Sequence, residues 1–520
     1  MAPEHILAID QGTTSTRAIV FSPDARPVGS ASVPVRQIFP NPGWVEHDPD
    51  ELFDGSVGVA TRAVADAGLA FDDIAAIGIT NQRETTVVWE RSTGRPLANA
   101  IVWQCRRTAA MCEALKAQGH EPDIRRRTGL VVDAYFSSTK LQWLLGRIPS
   151  GRARAEAGEI CFGTVDSWLL FRLTGRELHA TDATNASRTQ LLNVHDLAWD
   201  EALLKLFEVP ERVLPEVRPS ASDFGKTQAS VFGRPIPITG VAGDQHAALY
   251  GQACFSPGST KCTYGTGAFV LANAGGTPRE AESGLITTVG WWTGQKPVYA
   301  LEGSVFVTGA AVQWLRDELM VIADASESDV LAQSIPDNGG VYFVPAFVGL
   351  GAPHWDAEAR GAIVGLTRGA HRAYLARAAL EATAYQVKDV IDAMQVPASP
   401  TTRGPARRAR TPAVDSGAAL RADGGQTASR FLMQFQADIL NRPVEVAAVQ
   451  ETTALGAAFL AGRALGLWAS ESELASLWRP GRVYEPKISS GERLDLLAGW
   501  KRAVAQARHR EDLVARPTRA

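Results

Sequence analysis

Two separated stretches of the chain are built alike, and this repetition constrains the fold more than any other feature. The first, Ile6-Leu7-Ala8-Ile9-Asp10, reads as a buried strand, breaks at Gln11-Gly12-Thr13-Thr14-Ser15 and returns as Arg17-Ala18-Ile19-Val20-Phe21. The second runs from Ser259 to Tyr264, turns at Gly265-Thr266-Gly267 and returns as Ala268-Phe269-Val270-Leu271. Apolar runs flanking a short glycine-containing turn predict a β-hairpin. A helical segment over Glu51 to Gly68 follows the first hairpin, then buried-type strands at Ile74 to Thr80 and Val87 to Trp89. The expectation is a mixed α/β chain with an internal duplication: two similar lobes, residues 1–253 and 254–520, with a cleft between them. A length of 520 residues suits two or more domains.

Composition narrows the function classes. A formal charge of -4 with interspersed signs gives no sequence-wide attraction to nucleic acid or to an anionic membrane surface. No apolar run reaches the roughly 18 residues of a membrane helix, and the amino terminus lacks the basic start and apolar core of a signal peptide. The five cysteines are odd in number and form no CxxC pair, so they read as reduced packing residues of a cytoplasmic protein. Val396 to Ser416 departs from the general texture. It is rich in Pro, Arg, Thr and Ala and reads as a mobile surface insertion, while Trp500 to Ala520 reads as a polar terminal helix.

A phosphate-handling turn needs backbone N–H groups and small hydroxyls converging on one point, with a cation or metal to balance charge. Asp10 to Arg17 supplies these parts: Gly12 for close backbone approach, Thr13, Thr14 and Ser15 as donors, Asp10 for Mg²⁺, and Arg17 for a phosphoryl oxygen. The familiar phosphate loops fail on spacing. Gly225-Lys226-Thr227 has Ser220 where a Walker A loop starts with glycine, and Gly265-Thr266-Gly267 has Val270 where a dinucleotide fingerprint needs glycine. No protein-kinase catalytic loop is visible.

Six segments carry a resemblance that covers nearly the whole chain. They are Asp10 to Ser15, Asn81-Gln82-Arg83-Glu84-Thr85-Thr86, Trp103-Gln104-Cys105-Arg106-Arg107-Thr108, Gly243-Asp244-Gln245, Tyr264 to Gly267, and Gly361 to Gly369. In these the chain resembles the glycerol-phosphorylating members of the FGGY carbohydrate kinase family. The resemblance implies two actin-like, ribonuclease-H-like lobes closing on ATP and a polyol. It implies a polyol site of Arg83, Glu84, Tyr135, Asp244 and Gln245 with Trp103 and Phe269 as apolar walls, and Asp244 as general base. On the nucleotide side it assigns Thr13, Thr14, Ser15 and Arg17 to the phosphates from the first lobe, and Thr266, Gly309 and Gln313, then Gly425 beneath the adenosine, from the second. Homo-oligomers, dimers or tetramers, are expected by the same resemblance.

Two departures from the family pattern stand out. After Asp423-Gly424-Gly425 the family continues towards an asparagine pair near the adenine, where this chain has Ser429-Arg430, so Ser429 is the expected substitute contact. Ser230 stands where some relatives carry a phosphorylated histidine, so control by that route is not expected. Rival readings are a family kinase for a pentulose, gluconate or erythritol, and an actin-like ATPase without a small acceptor.

Overall fold

The computed structural model describes residues 3–280, 284–294, 296–356, 358–395 and 417–508. The expected insertion at 396–416 and the last twelve residues of the expected terminal helix lie outside them. The first sheet is built from β1 (His5–Gln11), β2 (Ser15–Phe21), β3 (Pro27–Pro34), β4 (Ile74–Asn81) and β5 (Ile238–Gly243), in the order β5-β4-β1-β2-β3. The hairpin β1/β2 pairs antiparallel with Asp10 opposite Arg17, and β4 and β5 run parallel to β1. The alternation of buried aliphatics in these strands gives the sheet two apolar faces, Leu7 and Ile9 on one and Ile6 and Ala8 on the other.

The second sheet contains β6 (Thr260–Tyr264), β7 (Ala268–Gly275), β8 (Ile286–Trp291), β9 (Val298–Val305), β10 (Leu420–Asp423), β11 (Val444–Ala447) and β12 (Pro480–Tyr484). Its order is β8-β9-β7-β6-β10-β11-β12. The run β9-β7-β6-β10-β11 repeats β3-β2-β1-β4-β5 strand for strand: an antiparallel trio followed by two parallel neighbours. The duplication expected from the two hairpins is thus a duplication of whole sheets, and the fold is α/β with two lobes.

Helices cover both sheets. α1 (Pro49–Asp66) is started by Asp48, whose carboxylate accepts from the N–H groups of Asp50 and Glu51, and it packs with α2 (Val165–Leu173) on one face of the first sheet. α3 (Asp244–Gly251) begins directly at the end of β5. α4 (Gly309–Asp317), α5 (Ala325–Gln333), α6 (Arg372–Gln395) and α7 (Arg430–Leu440) build the second lobe. α8 (Thr452–Leu465) comes from the second half of the sequence yet covers the other face of the first sheet, packed on β1, β4, β5 and α3. Glycine permits that approach: a Cβ at Gly78 would overlap the carbonyl of Ala457, and one at Gly456 that of Ala247.

α9 (Ser490–Arg508) starts ten residues before the helix expected from sequence. Its Trp500 is buried, stacks on Tyr385 at 5.1 Å and donates from Nε1 to Asp389 at 2.7 Å, which anchors the helix. All five cysteines are buried and unbridged. Among the described residues no helix is long and apolar enough to cross a membrane.

Candidate active site

The first turn is braced from below. Gly12 N–H donates to Ser15 O at 3.0 Å, Gln82 Nε2 donates to Gln11 Oε1 at 3.0 Å and to Gly12 O at 3.2 Å, and Gln37 Nε2 donates to Thr13 O at 2.7 Å. A Cβ on Gly12 would stand 2.9 Å from Ser15 O, so the tight turn needs glycine there. Thr14 is exposed and Thr13 and Ser15 half-buried, which leaves three hydroxyls at the rim. Arg17 is held by Glu451, the residue before α8, so the arginine also links the two halves of the sequence.

Asp10 is half-buried between β1 and this rim. Its carboxyl is pushed from 3.8 to about 7, mainly by burial, then by the nearby charges of Asp244 and Glu451, with Arg17 opposing. A carboxylate crowded by negative neighbours fits a place next to a divalent cation. Among the described residues no three His, Cys, Asp or Glu side chains gather to hold a metal alone. Mg²⁺ is ordinarily held by one or two carboxylates together with substrate phosphates and water, which is compatible with Asp10 as sole anchor.

Arg83 and Glu84 follow β4 and are almost wholly buried, so they are not the surface ion pair that such neighbours usually form. Arg83 Nε lies 3.0 Å from Asp244 Oδ1, and its two Nη atoms fork onto Glu302 at 2.5 and 3.1 Å. Arg188 Nε donates to Glu84 Oε1 at 2.6 Å, and Arg188 Nη2 donates to Glu302 Oε1 at 3.1 Å. Two arginines and two glutamates thus close a buried, charge-balanced ring. Glu84 adopts φ 60°, a left-handed backbone that costs a side-chain-bearing residue on the order of 1 kcal/mol and is held by Ser137 and Thr86 hydroxyls donating to its carbonyl.

Asp244 is the first residue of α3, and its side chain is 28% exposed, the open member of the cluster. Burial raises its pKa, while Arg83 and the Gln245 N–H, which donates to its carboxylate at 2.6 Å, hold the rise back. The result is a carboxylate with more proton affinity than a free aspartate, aimed by two donors. Gln245 Oε1 accepts from the buried amine of Lys261, which also donates to Thr263 Oγ1 at 2.8 Å. Lys261 belongs to β6 of the second sheet and Gln245 to α3, so this contact too joins the lobes.

Aromatic walls stand around this cluster. Trp103 and Tyr135 meet edge to face at 5.4 Å, Arg83 lies 5.9 Å from the ring of Phe269, and Arg188 5.7 Å from that of Tyr135. Arg188 Nη1 is buried without a partner among the described residues. Burial and the Glu84 charge raise the Tyr135 pKa, keeping its hydroxyl a neutral donor.

The second turn is closed by Gly265 N–H donating to Gly267 O at 2.8 Å, and a Cβ on Gly267 would overlap Val305 O. Thr266 is exposed at its tip. Gly309 opens α4 against this turn, donating to Gly265 O at 3.1 Å, and Gln313 is exposed one helical turn further along the same face. Gln426, next to Gly425, donates to Gly265 O and to Thr308 Oγ1 at 2.9 Å, bringing the Gly425 loop to the same rim. Gly425 is exposed with open space where a Cβ would be.

Ser429 is engaged elsewhere. Its hydroxyl donates to Asp329 of α5 and accepts from Leu432 N–H at 3.0 Å, making it the N-cap of α7. Its one proton and one of its two acceptor lone pairs are occupied, so the adenine role expected for Ser429 competes with a helix cap.

Sequence reasoning missed Arg188, Glu302 and Lys261. The last two carried a signal, each being the single charged residue of a largely buried strand, where burial demands a partner. Arg188 lies in a polar stretch and gave none.

Comparison with known proteins shows the family. The chain matches the family model "FGGY family of carbohydrate kinases, N-terminal domain" over residues 5–251 and its C-terminal counterpart over 260–465. It is 53% identical over 504 residues to glycerol kinase 2 of Thermotoga maritima, covering 97% of this chain and 99% of that one. It is 54% identical over 507 residues to the glycerol kinase of Symbiobacterium thermophilum, covering 97% and 98%. Among solved structures, Plasmodium falciparum glycerol kinase with ADP matches with a TM-score of 0.88 at 36% identity, covering 97% of this chain and 98% of that one. The chain, with its duplicated sheets and paired glycine turns, belongs to the FGGY family of carbohydrate kinases.

Proposed function

We propose that the protein transfers the γ-phosphoryl group of ATP to glycerol, giving sn-glycerol 3-phosphate and ADP. The observation that carries this reading is the Arg83 to Asp244 contact of 3.0 Å inside a cluster that also holds Glu84, Gln245 and Tyr135. A triol presents hydroxyls that each donate and accept, and a guanidinium, two carboxylates, an amide and a phenol match such a partner in fixed directions. Trp103 and Phe269 supply apolar surface for its carbon chain. The relatives named as glycerol kinases support the same acceptor.

In the proposed reaction the primary hydroxyl oxygen forms a bond to the γ-phosphorus while the bond from phosphorus to the β,γ-bridging oxygen breaks and ADP leaves. The hydroxyl proton passes to Asp244. Its raised pKa still leaves a weak base, which is sufficient where the transition state is loose and proton transfer is late. Thr13, Thr14, Ser15 and Arg17 hold phosphate oxygens from the first turn. Thr266, Gly309 and Gln313 approach from the second, with Gly425 beneath the adenosine. Mg²⁺, carried with ATP and held through Asp10, would supply charge neutralisation at the β- and γ-phosphates. The lobes divide near residue 253, a homo-oligomer is expected, and the setting is cytoplasmic.

The test is ADP release from Mg-ATP by purified protein with no acceptor, then with glycerol, xylulose, gluconate or erythritol. Release stimulated chiefly by glycerol supports the proposal. Stimulation by another polyol would move the substrate, and acceptor-independent release would favour an ATPase.

A further inference from the structure

Glu302 has no part in the reaction scheme above, yet it accepts from both arginines of the buried ring. It stands in β9, an apolar strand of the second sheet, and is fully buried. Its Oε2 accepts from Arg83 Nη1 at 2.5 Å, and its Oε1 accepts from Arg83 Nη2 and Arg188 Nη2, both at 3.1 Å. Both arginines come from the first lobe. Their charges outweigh the effect of burial and hold the Glu302 pKa down to about 2, so it is a fixed anion.

A forked guanidinium–carboxylate pair fixes the plane of an otherwise flexible side chain. With both Nη atoms on Glu302, Arg83 presents Nε to Asp244 at 3.0 Å. With one Nη on Glu302, Arg188 presents Nε to Glu84 at 2.6 Å. One carboxylate therefore sets two guanidiniums, and each guanidinium sets one carboxylate of the acceptor site.

The seam that brings Glu302 there is well made. Thr287 N–H donates to Gly129 O at 3.0 Å, Tyr299 Oη donates to Val194 O at 2.9 Å, and the Ser187 and Thr288 hydroxyls meet at 2.7 Å. Removing the Glu302 charge would leave the two buried cations with Glu84 and Asp244 as their remaining carboxylates, and would free Arg83 to swing further onto Asp244.

We propose that Glu302 is a positioning residue for the acceptor: supplied by the second lobe, it locks Arg83 and Arg188 so that Asp244 and Glu84 are correctly aimed, and the acceptor site is complete only when the two lobes are docked. This inference rests on the glycerol-phosphorylating reading of the same site.

The experiment compares Glu302→Gln, Glu302→Asp and Thr288→Val with the unmodified full-length protein in steady-state ADP release, varying glycerol and Mg-ATP separately. Thr288 belongs to the same seam, bonded to Ser187 and His246, but forms none of the ring's ion pairs. Glu302→Gln is expected to lower kcat/KM for glycerol about 10²-fold, the scale of a small misplacement of reacting groups, and to change the KM for ATP less than about twofold. Glu302→Asp keeps the charge and should recover about tenfold of the loss, while Thr288→Val stays within about threefold of the unmodified protein.

Equal losses in Glu302→Gln and Thr288→Val, or parallel effects on both substrates, would reduce Glu302 to a structural role and overturn the proposal, as would an unchanged kcat/KM for glycerol. If Glu302→Gln does not fold, Glu302→Asp decides alone. A selective rise in glycerol KM supports the proposal, and a parallel rise for ATP refutes it. Should the unmodified protein prefer another acceptor, the failure belongs to the substrate assignment, and the same comparison is made with that acceptor.

Discussion

Trp103 donates from its indole Nε1 to Thr13 Oγ1 at 2.8 Å, joining the wall of the proposed acceptor site to the first glycine turn. Its backbone N–H is tied to Thr85 Oγ1 at 3.3 Å, and its ring meets Tyr135 edge to face. The proposed acceptor and nucleotide subsites therefore share a structural member. Trp103→Phe keeps an aromatic wall but deletes the donor. It is expected to raise the KM values for both glycerol and ATP about fivefold, the scale of one hydrogen bond. Steady-state kinetics check this, and an unchanged KM for ATP would show that the bond does not couple the subsites.

Asp10 makes a prediction about pH. Its folded pKa of about 7 lies above the ordinary 3.8, so between these values the folded chain binds one more proton than the unfolded chain. Stability of the nucleotide-free protein then falls as pH rises through that window, and the penalty is fully present above about pH 7. Asp10→Asn removes the ionisation. At pH 8 without Mg-ATP it should have a higher Tm than the unmodified protein, and at pH 5 the difference should narrow. A Tm difference independent of pH would contradict the crowding of negative charge around Asp10.

Ser429 separates a helix cap from a nucleotide contact. Loss of its hydroxyl in Ser429→Ala removes the cap of α7 and the bond to Asp329, with an expected cost of about 1 kcal/mol. Denaturant unfolding should show that loss, while the KM for ATP changes less than about twofold, because the hydroxyl's proton is already given to Asp329 and its orientation is fixed by the cap. A large rise in KM with unchanged stability would return Ser429 to the adenine.

Gly456 carries α8 onto the first lobe. A Cβ there would overlap the Ala247 carbonyl, so Gly456→Ala must displace either α8 or α3, with a cost of about 1–3 kcal/mol or more. Since α3 begins at Asp244, the displacement should lower turnover as well as Tm. Retention of both would mean that the helices are further apart than described.

Legibility from sequence followed the range of the interactions. Both hairpins were readable because their apolar runs and glycine turns are local, and the repeated hairpin pointed to repeated sheets. The destination of α8 was not. Ala454, Leu455, Ala457, Ala458 and Phe459 announce a helix buried on most sides, but nothing local says that it crosses to the first sheet. The partners of Glu302 were hidden for a related reason: its charge inside an apolar strand signals that a partner is needed, but Arg83 and Arg188 are 219 and 114 residues away, and only the fold brings them together. Ser429 was read as a ligand because it stands where the family resemblance places the adenine contact; its cap on Leu432 N–H is local, but its bond to Asp329 of another helix is not visible in the sequence.

The central claim is that Asp244, held by Arg83, takes the proton of the attacking hydroxyl. Asp244→Asn keeps the shape and the side chain's place beside Arg83 while removing basicity. Calorimetric titration should find glycerol and Mg-ATP binding within about threefold of the unmodified protein, and ADP release should fall about 10³-fold, the range of a lost general base. Turnover within about tenfold of normal, with binding intact, would contradict the claim and leave Asp244 as a structural carboxylate.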